Sequence, residues 1–242
     1  MARGAPAGER RRQAGGLLMN LGVIVAGGAG TRLEQGVPKA QVMLAGETLL
    51  DRAIATLAAV CNPIVTVTPR SRRPELLPSG GASLEWTEDA AGGEGPLSGL
   101  VAGLAAEPFD RAVVLGVDFP FVRAALLEAL LAELDAFGAP AVIPIPDGVP
   151  QPLVAAYSRR AARALGEAFA RGERSVTRAV MALGPQLLGD DRLRALDGGL
   201  ENFFNLNTPE DLAAAERRIA RRPGRRRQAP RAARRARGPD PV

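Results

Sequence analysis

The sequence predicts an α/β fold: a mostly parallel central sheet with helices on both faces. Three observations predict it. Apolar, β-branched runs of strand length recur at 21–25, 63–68, 83–88, 111–116, 141–146 and 152–157, and most lack polar alternation, as strands buried on both faces do. Segments of helical periodicity separate most of these runs. Glycine-rich or proline-rich turns follow the strand ends, where ligands bind in such sheets.

The first run, VIVAGGAGTR at 23–32, is a central strand opening into a loop that carries Gly27, Gly28 and Gly30. Glycines there leave backbone N–H groups free to close on an anion. Residues 47–60 place Leu49, Leu50, Ala53, Ile54 and Leu57 at helical intervals, and a second strand follows at 63–68. A right-handed crossover makes these two strands parallel. Residues 69–82 form a surface connection, 83–88 a third strand, and a loop with three glycines leads to a helix over 96–106 with Pro96 in its first turn.

The strand at 111–116 delivers Asp118 at its carboxyl end, ahead of the chain-breaking Phe119-Pro120. An amphipathic helix spans 122–137. The strands at 141–146 and 152–157 form an antiparallel pair around the Asp147-Gly148 turn signal. A helix over 159–170 leads to Arg174 and Ser175 at the start of another helix. Residues 203–207 read as a short strand, followed by a helix with Thr208 as N-cap, Pro209 in the first turn and Asp211 completing a capping box. Capping leaves Asn205 and Asn207 unexplained, which makes them candidate substrate contacts. No internal repeat is visible.

Composition excludes several chemistries. The 242 residues contain no histidine and one cysteine, Cys61. Histidine-based acid–base catalysis, His metal sites and disulfides are therefore out. The net charge of +5 is unevenly spread. Residues 1–18 hold four arginines and one glutamate, and 221–242 hold nine arginines and one aspartate, so the body between them is net negative. A basic nucleic-acid surface is not expected on that body. The expected organisation is a disordered basic extension at 1–18, one domain at 19–220 and a disordered Arg-rich tail at 221–242. Met19, just ahead of the first strand, is a second candidate translation start. No run reaches the length of a spanning helix, and a cytoplasmic protein without membrane contact is expected.

Lysine usage singles out one position. Of 31 basic residues only Lys39 is lysine, and a compact point charge beside a glycine loop suits a phosphate contact that a planar guanidinium makes differently. The dinucleotide fingerprint lacks its third glycine, since Thr31, Arg32 and Leu33 follow Gly30, and a P-loop would require Gly-Lys-Ser/Thr. A glycine loop, Arg32, Lys39 and a strand-end Asp118 suit nucleotidyl transfer, with cations holding the triphosphate and Mg2+ on Asp118. Asp118 also suits a bland role as a cap for the following helix. Arg174, at a helix start, is a further candidate substrate contact through a phosphate, with solvated surface charge as the alternative.

In order, VIVAGGAGTR, PK, WTED, EGPLSGL, GVDFPF, QPLVAAY, GERSV and NLNTPEDL resemble the molybdenum cofactor guanylyltransferase family over residues 21–220. The resemblance implies a Rossmann-like three-layer nucleotidyltransferase fold, with GTP and molybdenum-bound molybdopterin as substrates and apo-molybdoenzymes or their chaperones as further partners. It implies nucleotide contacts at Val25, Ala26, Gly27, Lys39, Asp89 and Asp118, with magnesium on Asp118. The glycine loop itself adds Gly28 and Gly30 as nucleotide contacts and Arg32 as a candidate catalytic cation beside Lys39 and Asp118. The chain departs from the family at 33–38, at Thr66–Thr68 where an asparagine is usual, and at Val117 where cysteine is usual. The altered 33–38 stretch leaves CTP or another phosphorylated acceptor as an alternative. A non-catalytic nucleotide-binding or cofactor-chaperone module is the alternative from another class.

Overall fold

The computed structural model describes residues 18–26, 37–68, 84–88 and 95–221. Its centre is a sheet of seven strands: β1 (Asn20–Val25), β4 (Ile64–Thr68), β5 (Leu84–Glu88), β6 (Arg111–Gly116), β7 (Ala141–Pro144), β8 (Val154–Ser158) and β9 (Gln186–Leu188), in the order β5-β4-β1-β6-β8-β7-β9. β1 pairs in parallel with β4 and β6, β4 with β5, and β7 with β9. Only β8 runs against its neighbours. The expected antiparallel pair is therefore β7 and β8, inside an otherwise parallel sheet.

Side-chain alternation splits the core in two. Leu21, Val23 and Val25 of β1 face one layer and Ile24 faces the other. On the Ile24 side pack α1 (Leu49–Ala58), α3 (Ala124–Phe137) and α7 (Pro209–Ala220). The opposite side holds α2 (Pro96–Ala106), α4 (Arg159–Ala170) and α5 (Val176–Met181). This is the three-layer arrangement expected from the sequence. Local chemistry sets the helix ends. The Thr48 and Ser158 hydroxyls accept from the Asp51 and Ala161 amides at the starts of α1 and α4, and Gly138 closes α3 in the left-handed region (φ 52°).

Several expectations need correction. The helix read over 47–60 is shorter, because Glu47–Thr48 is strand β3 in a small hairpin with β2 (Met43–Leu44). Its turn uses Ala45 and Gly46 at positive φ, and Ala-Gly lacks the Asn-Gly signature that marks such turns in sequence. The strand read at 203–207 does not form. Gly199–Phe203 is a 3-10 helix, and the following residues reach α7 without joining the sheet. β9 and a short α6 (Asp190–Arg194) were not expected at all. Cys61 is a buried core thiol, and burial pushes its pKa up to about 12. Apart from Leu18 and Arg221, the two basic extensions lie outside the described residues. Among the described residues, no helix is long and apolar enough to cross a membrane.

The topology fixes where a ligand can sit. From β1 the chain builds outward to β4 on one side and to β6 on the other, so the carboxyl ends of β1 and β6 flank a switch-point crevice. Backbone bonds from Ala26 N to Val67 O (2.9 Å) and from Val117 N to Val25 O (3.2 Å) carry the pairing to that edge. Under the sheet, α2 approaches closely because of Gly103: a Cβ there would lie 2.3 Å from Val23 Cγ1 and 2.9 Å from Val67 Cγ2. Gly103→Ala is therefore expected to destabilise the protein by about 1–3 kcal/mol through overpacking, read as a lower urea midpoint. An unchanged midpoint would refute this close approach.

Candidate active site

Three side chains meet above the β1–β6 crevice. Pro38 holds extended backbone (ψ 144°) into a 3-10 turn, Lys39–Gln41, so Lys39 starts a turn at the sheet edge. Its side chain is 10 % exposed. The Lys39 Nζ donates to Asn207 Oδ1 at 2.7 Å and to Asp118 Oδ2 at 3.3 Å. An ammonium so buried needs such partners, because stripping its hydration is otherwise costly.

Asp118 stands two residues beyond β6, with about a fifth of its side chain exposed. Its position depends on Gly116, a residue that the sequence reading passed over. A Cβ at Gly116 would sit 2.6 Å from Asp118 Oδ1, so the carboxylate folds back over the strand end only because that position is bare. A glycine ending an apolar strand was the available signal. Backbone geometry adds a second tie: the Asp118 carbonyl accepts from Leu206 N at 2.9 Å. Leu206 is fully buried, while Asn205 and Asn207 on either side are exposed.

Asn207 therefore joins the site, and Asn205 lies two residues away at its margin. Capping explains why Asn207 is held. Asp211 Oδ2 accepts from the Asn207 and Thr208 amides, both at 2.9 Å, and Thr208 Oγ1 accepts from Asp211 N at 3.2 Å. The Asn207 amide, with help from Thr208 and the Lys39 charge, holds the Asp211 carboxyl below its ordinary value of 3.8.

The other expected residues are distributed as follows. Val25 and Ala26 sit at the end of β1, beside Gly116, with backbone groups engaged in the sheet. Thr66 and Thr68 are buried in β4, and Thr66 Oγ1 has no hydrogen-bond partner among the described residues. Arg174 turns back on its own loop: Nη1 donates to the Phe169 and Glu173 carbonyls at 2.8 and 2.7 Å, and the guanidinium lies 4.3 Å over the Phe169 ring. It makes none of the bonds of the Lys39 cluster. Gly27, Gly28, Gly30, Arg32 and Asp89 lie outside the described residues.

The MobA-like NTP transferase domain family matches residues 22–187. The chain belongs to that family. A probable molybdenum cofactor guanylyltransferase of Chloroflexus aggregans is 35% identical over 81% of this chain and 92% of its own length. The molybdenum cofactor guanylyltransferase of Desulfosudis oleivorans is 31% identical over 82% of this chain and 95% of its own. Among solved structures, the molybdopterin-guanine dinucleotide biosynthesis protein A of Archaeoglobus fulgidus superposes with a TM-score of 0.68 at 32% identity, covering 84% of this chain and 99% of that one. The 2-C-methyl-D-erythritol 4-phosphate cytidylyltransferase of Thermus thermophilus shares the fold, with a TM-score of 0.60 at 20% identity over 84% of this chain and all of that one. The family places this chain among nucleotidyltransferases, and the Lys39 cluster lies at the carboxyl edge of the parallel strands β1 and β6.

The Asp211 cap has a pH signature. A depressed carboxyl contributes stability that is complete above its unfolded value and lost as pH falls through its folded one. Asp211→Asn is expected to lower the urea midpoint near pH ~6, by a margin that shrinks as pH falls below the ordinary carboxyl value. A gap that persists in acid would sink this assignment.

Proposed function

We propose that this chain transfers GMP from GTP to molybdenum-bound molybdopterin, forming molybdopterin guanine dinucleotide and pyrophosphate. The observation that carries the proposal is the meeting of Lys39, Asp118 and Asn207 at the β1–β6 switch point in a chain of this family. In the reaction an acceptor phosphate oxygen attacks the α-phosphorus of GTP. The new phosphorus–oxygen bond forms as the bond to the bridging oxygen breaks, and that electron pair leaves on pyrophosphate. No proton needs to pass through histidine, which agrees with a chain that has none.

Each residue has a defined task in this reading. Lys39 presents an ammonium held by two oxygens, and it meets triphosphate oxygens as a compact charge. Asn207 orients that ammonium while remaining neutral. Arg32 and the glycines of the preceding loop hold further phosphate oxygens by backbone and guanidinium donors. Asn205, exposed two residues before Asn207, is a further substrate contact in this reading.

Asp118 fits magnesium. It offers hard oxygens, one of which lies over the bare Gly116 position where a methyl would intrude at 2.6 Å. Among the described residues there is no cluster of three or more metal-ligating side chains, so the remaining ligands would be phosphate and water oxygens, as is usual for this ion. Bound there, magnesium would supply charge neutralisation on the reacting phosphates. A cytoplasmic setting completes the proposal.

Single-turnover pyrophosphate release from GTP, CTP, ATP and UTP, with magnesium and molybdenum-charged molybdopterin, tests the reading. Release with GTP alone is expected. Preference for CTP would keep the mechanism but overturn the product, and binding without release would favour a non-catalytic module. Asp118→Ala should abolish release, and full turnover of that variant at saturating magnesium would remove Asp118 from the mechanism. Lys39→Arg, which keeps charge but not shape, should lower kcat/KM by roughly tenfold or more, about 1.4 kcal/mol; wild-type kcat/KM would refute a need for the compact ammonium.

A further inference from the structure

The closer partner of the Lys39 ammonium is not the aspartate but Asn207, at 2.7 Å against 3.3 Å. What holds Asn207 is therefore part of the lysine's environment. Residues 206, 207 and 208 have three consecutive amides pinned. Leu206 N donates to the Asp118 carbonyl, while Asn207 N and Thr208 N both donate to the single oxygen Asp211 Oδ2. A capping box needs only the reciprocal pair between Thr208 and Asp211, and that pair is present. The bond from the Asn207 amide to Asp211 lies outside the box and caps nothing. Its effect is to fix the backbone from which the Asn207 carboxamide reaches Lys39.

We propose that Asp211 is a positioning residue for Lys39: it clamps the Asn207 amide, the Asn207 carboxamide then fixes the ammonium, and the amino end of α7 thereby sets where the phosphate-binding lysine stands. The phosphate role of Lys39 rests on the function proposed above; the clamp itself does not. Substituting Asp211 removes two acceptor bonds at once, from neighbouring amides of a segment that has no sheet partner. Thr208 makes the useful contrast. Its hydroxyl belongs to the box but not to the clamp, so Thr208→Ala weakens the helix end while Asp211 keeps both amides. A role confined to helix capping would make the two substitutions equivalent.

The sequence offers a readout that needs no substrate, because Lys39 is the only lysine. Protein labelled with 13C-lysine gives one side-chain Hε–Cε signal, and that signal reports this ammonium alone. Asp211→Ala and Asn207→Ala are expected to move it to a common new position, with no further movement when they are combined, as for residues acting in series. Thr208→Ala is expected to leave it in place despite a lower thermal midpoint. Asp211→Asn, which keeps an oxygen acceptor but loses the charge, is expected to move it less than half as far as Asp211→Ala. Asp211→Ser, with one acceptor oxygen on a shorter arm, serves if the alanine variant fails to fold, and should shift the signal in the same direction.

The proposal is overturned if the signal stays put in Asp211→Ala, or in Asp211→Ser where that is the variant that folds. It is also overturned if Thr208→Ala moves the signal equally, or if Asp211→Asn moves it as far as Asp211→Ala, which would make the effect one of charge rather than position. Turnover adds a separate arm: Asp211→Ala should raise KM for GTP about tenfold, and Thr208→Ala should not. A lysine signal that moves as expected in a protein inactive with every nucleotide would uphold the clamp and refute guanylyl transfer. An immobile signal in an enzyme active on GTP would do the reverse.

Discussion

A buried ammonium is the constraint on which the site depends. Lys39 reaches the crevice from the turn after the first loop, and its burial would be prohibitive without oxygens to replace water. Those oxygens come from two distant places, the end of β6 and the approach to α7. The surrounding architecture supplies them. Parallel pairing of β1 with β6 brings the two strand ends level, bare Gly116 lets the carboxylate fold back, and buried Leu206 anchors the segment that presents Asn207.

The helices contribute on unequal terms. α1 and α3 face the same side of the sheet as α7, yet among the described residues α7 alone has its capping residues tied into the lysine's bonds. On the opposite face, α2 sits close enough to β1 and β4 that Gly103 has no room for a methyl. That tight layer stiffens the strand whose end carries the site. The fold thus holds β1 closely from below and closes the site from above by the segment leading into α7.

Much of the fold was legible because its main elements are long and strongly patterned. The buried strands β1, β4 and β6 and the helices α1 to α4 carry their periodicity openly. Elements of two to five residues escaped: the Met43–Thr48 hairpin, β9 and α6 are too short to show a period, and the hairpin turn uses Ala45 where Asn would have been a signal. Within the site, Lys39 stood out by its isolation and Asp118 by its place at a strand end. Asn207 surfaced only as the remainder after Thr208 and Asp211 were assigned to capping. Gly116 was passed over, because what it accommodates is a side chain two residues away rather than a turn. Arg174 carried the right charge, but Phe169 and Glu173 engage it, a contact that residue type alone does not reveal.

The Lys39–Asp118 contact spans 79 residues of sequence and the Lys39–Asn207 contact 168. On a ribosome adding roughly 5–20 residues per second, Asn207 is made on the order of ten seconds after Lys39. During that interval the strands and first helices have everything needed to pair, while the lysine lacks its nearest oxygen. Assembly order is thereby written into the connectivity. Among the described elements, nearly the last to leave the ribosome completes the site, so a nascent chain that stops short of it carries the sheet without the finished site.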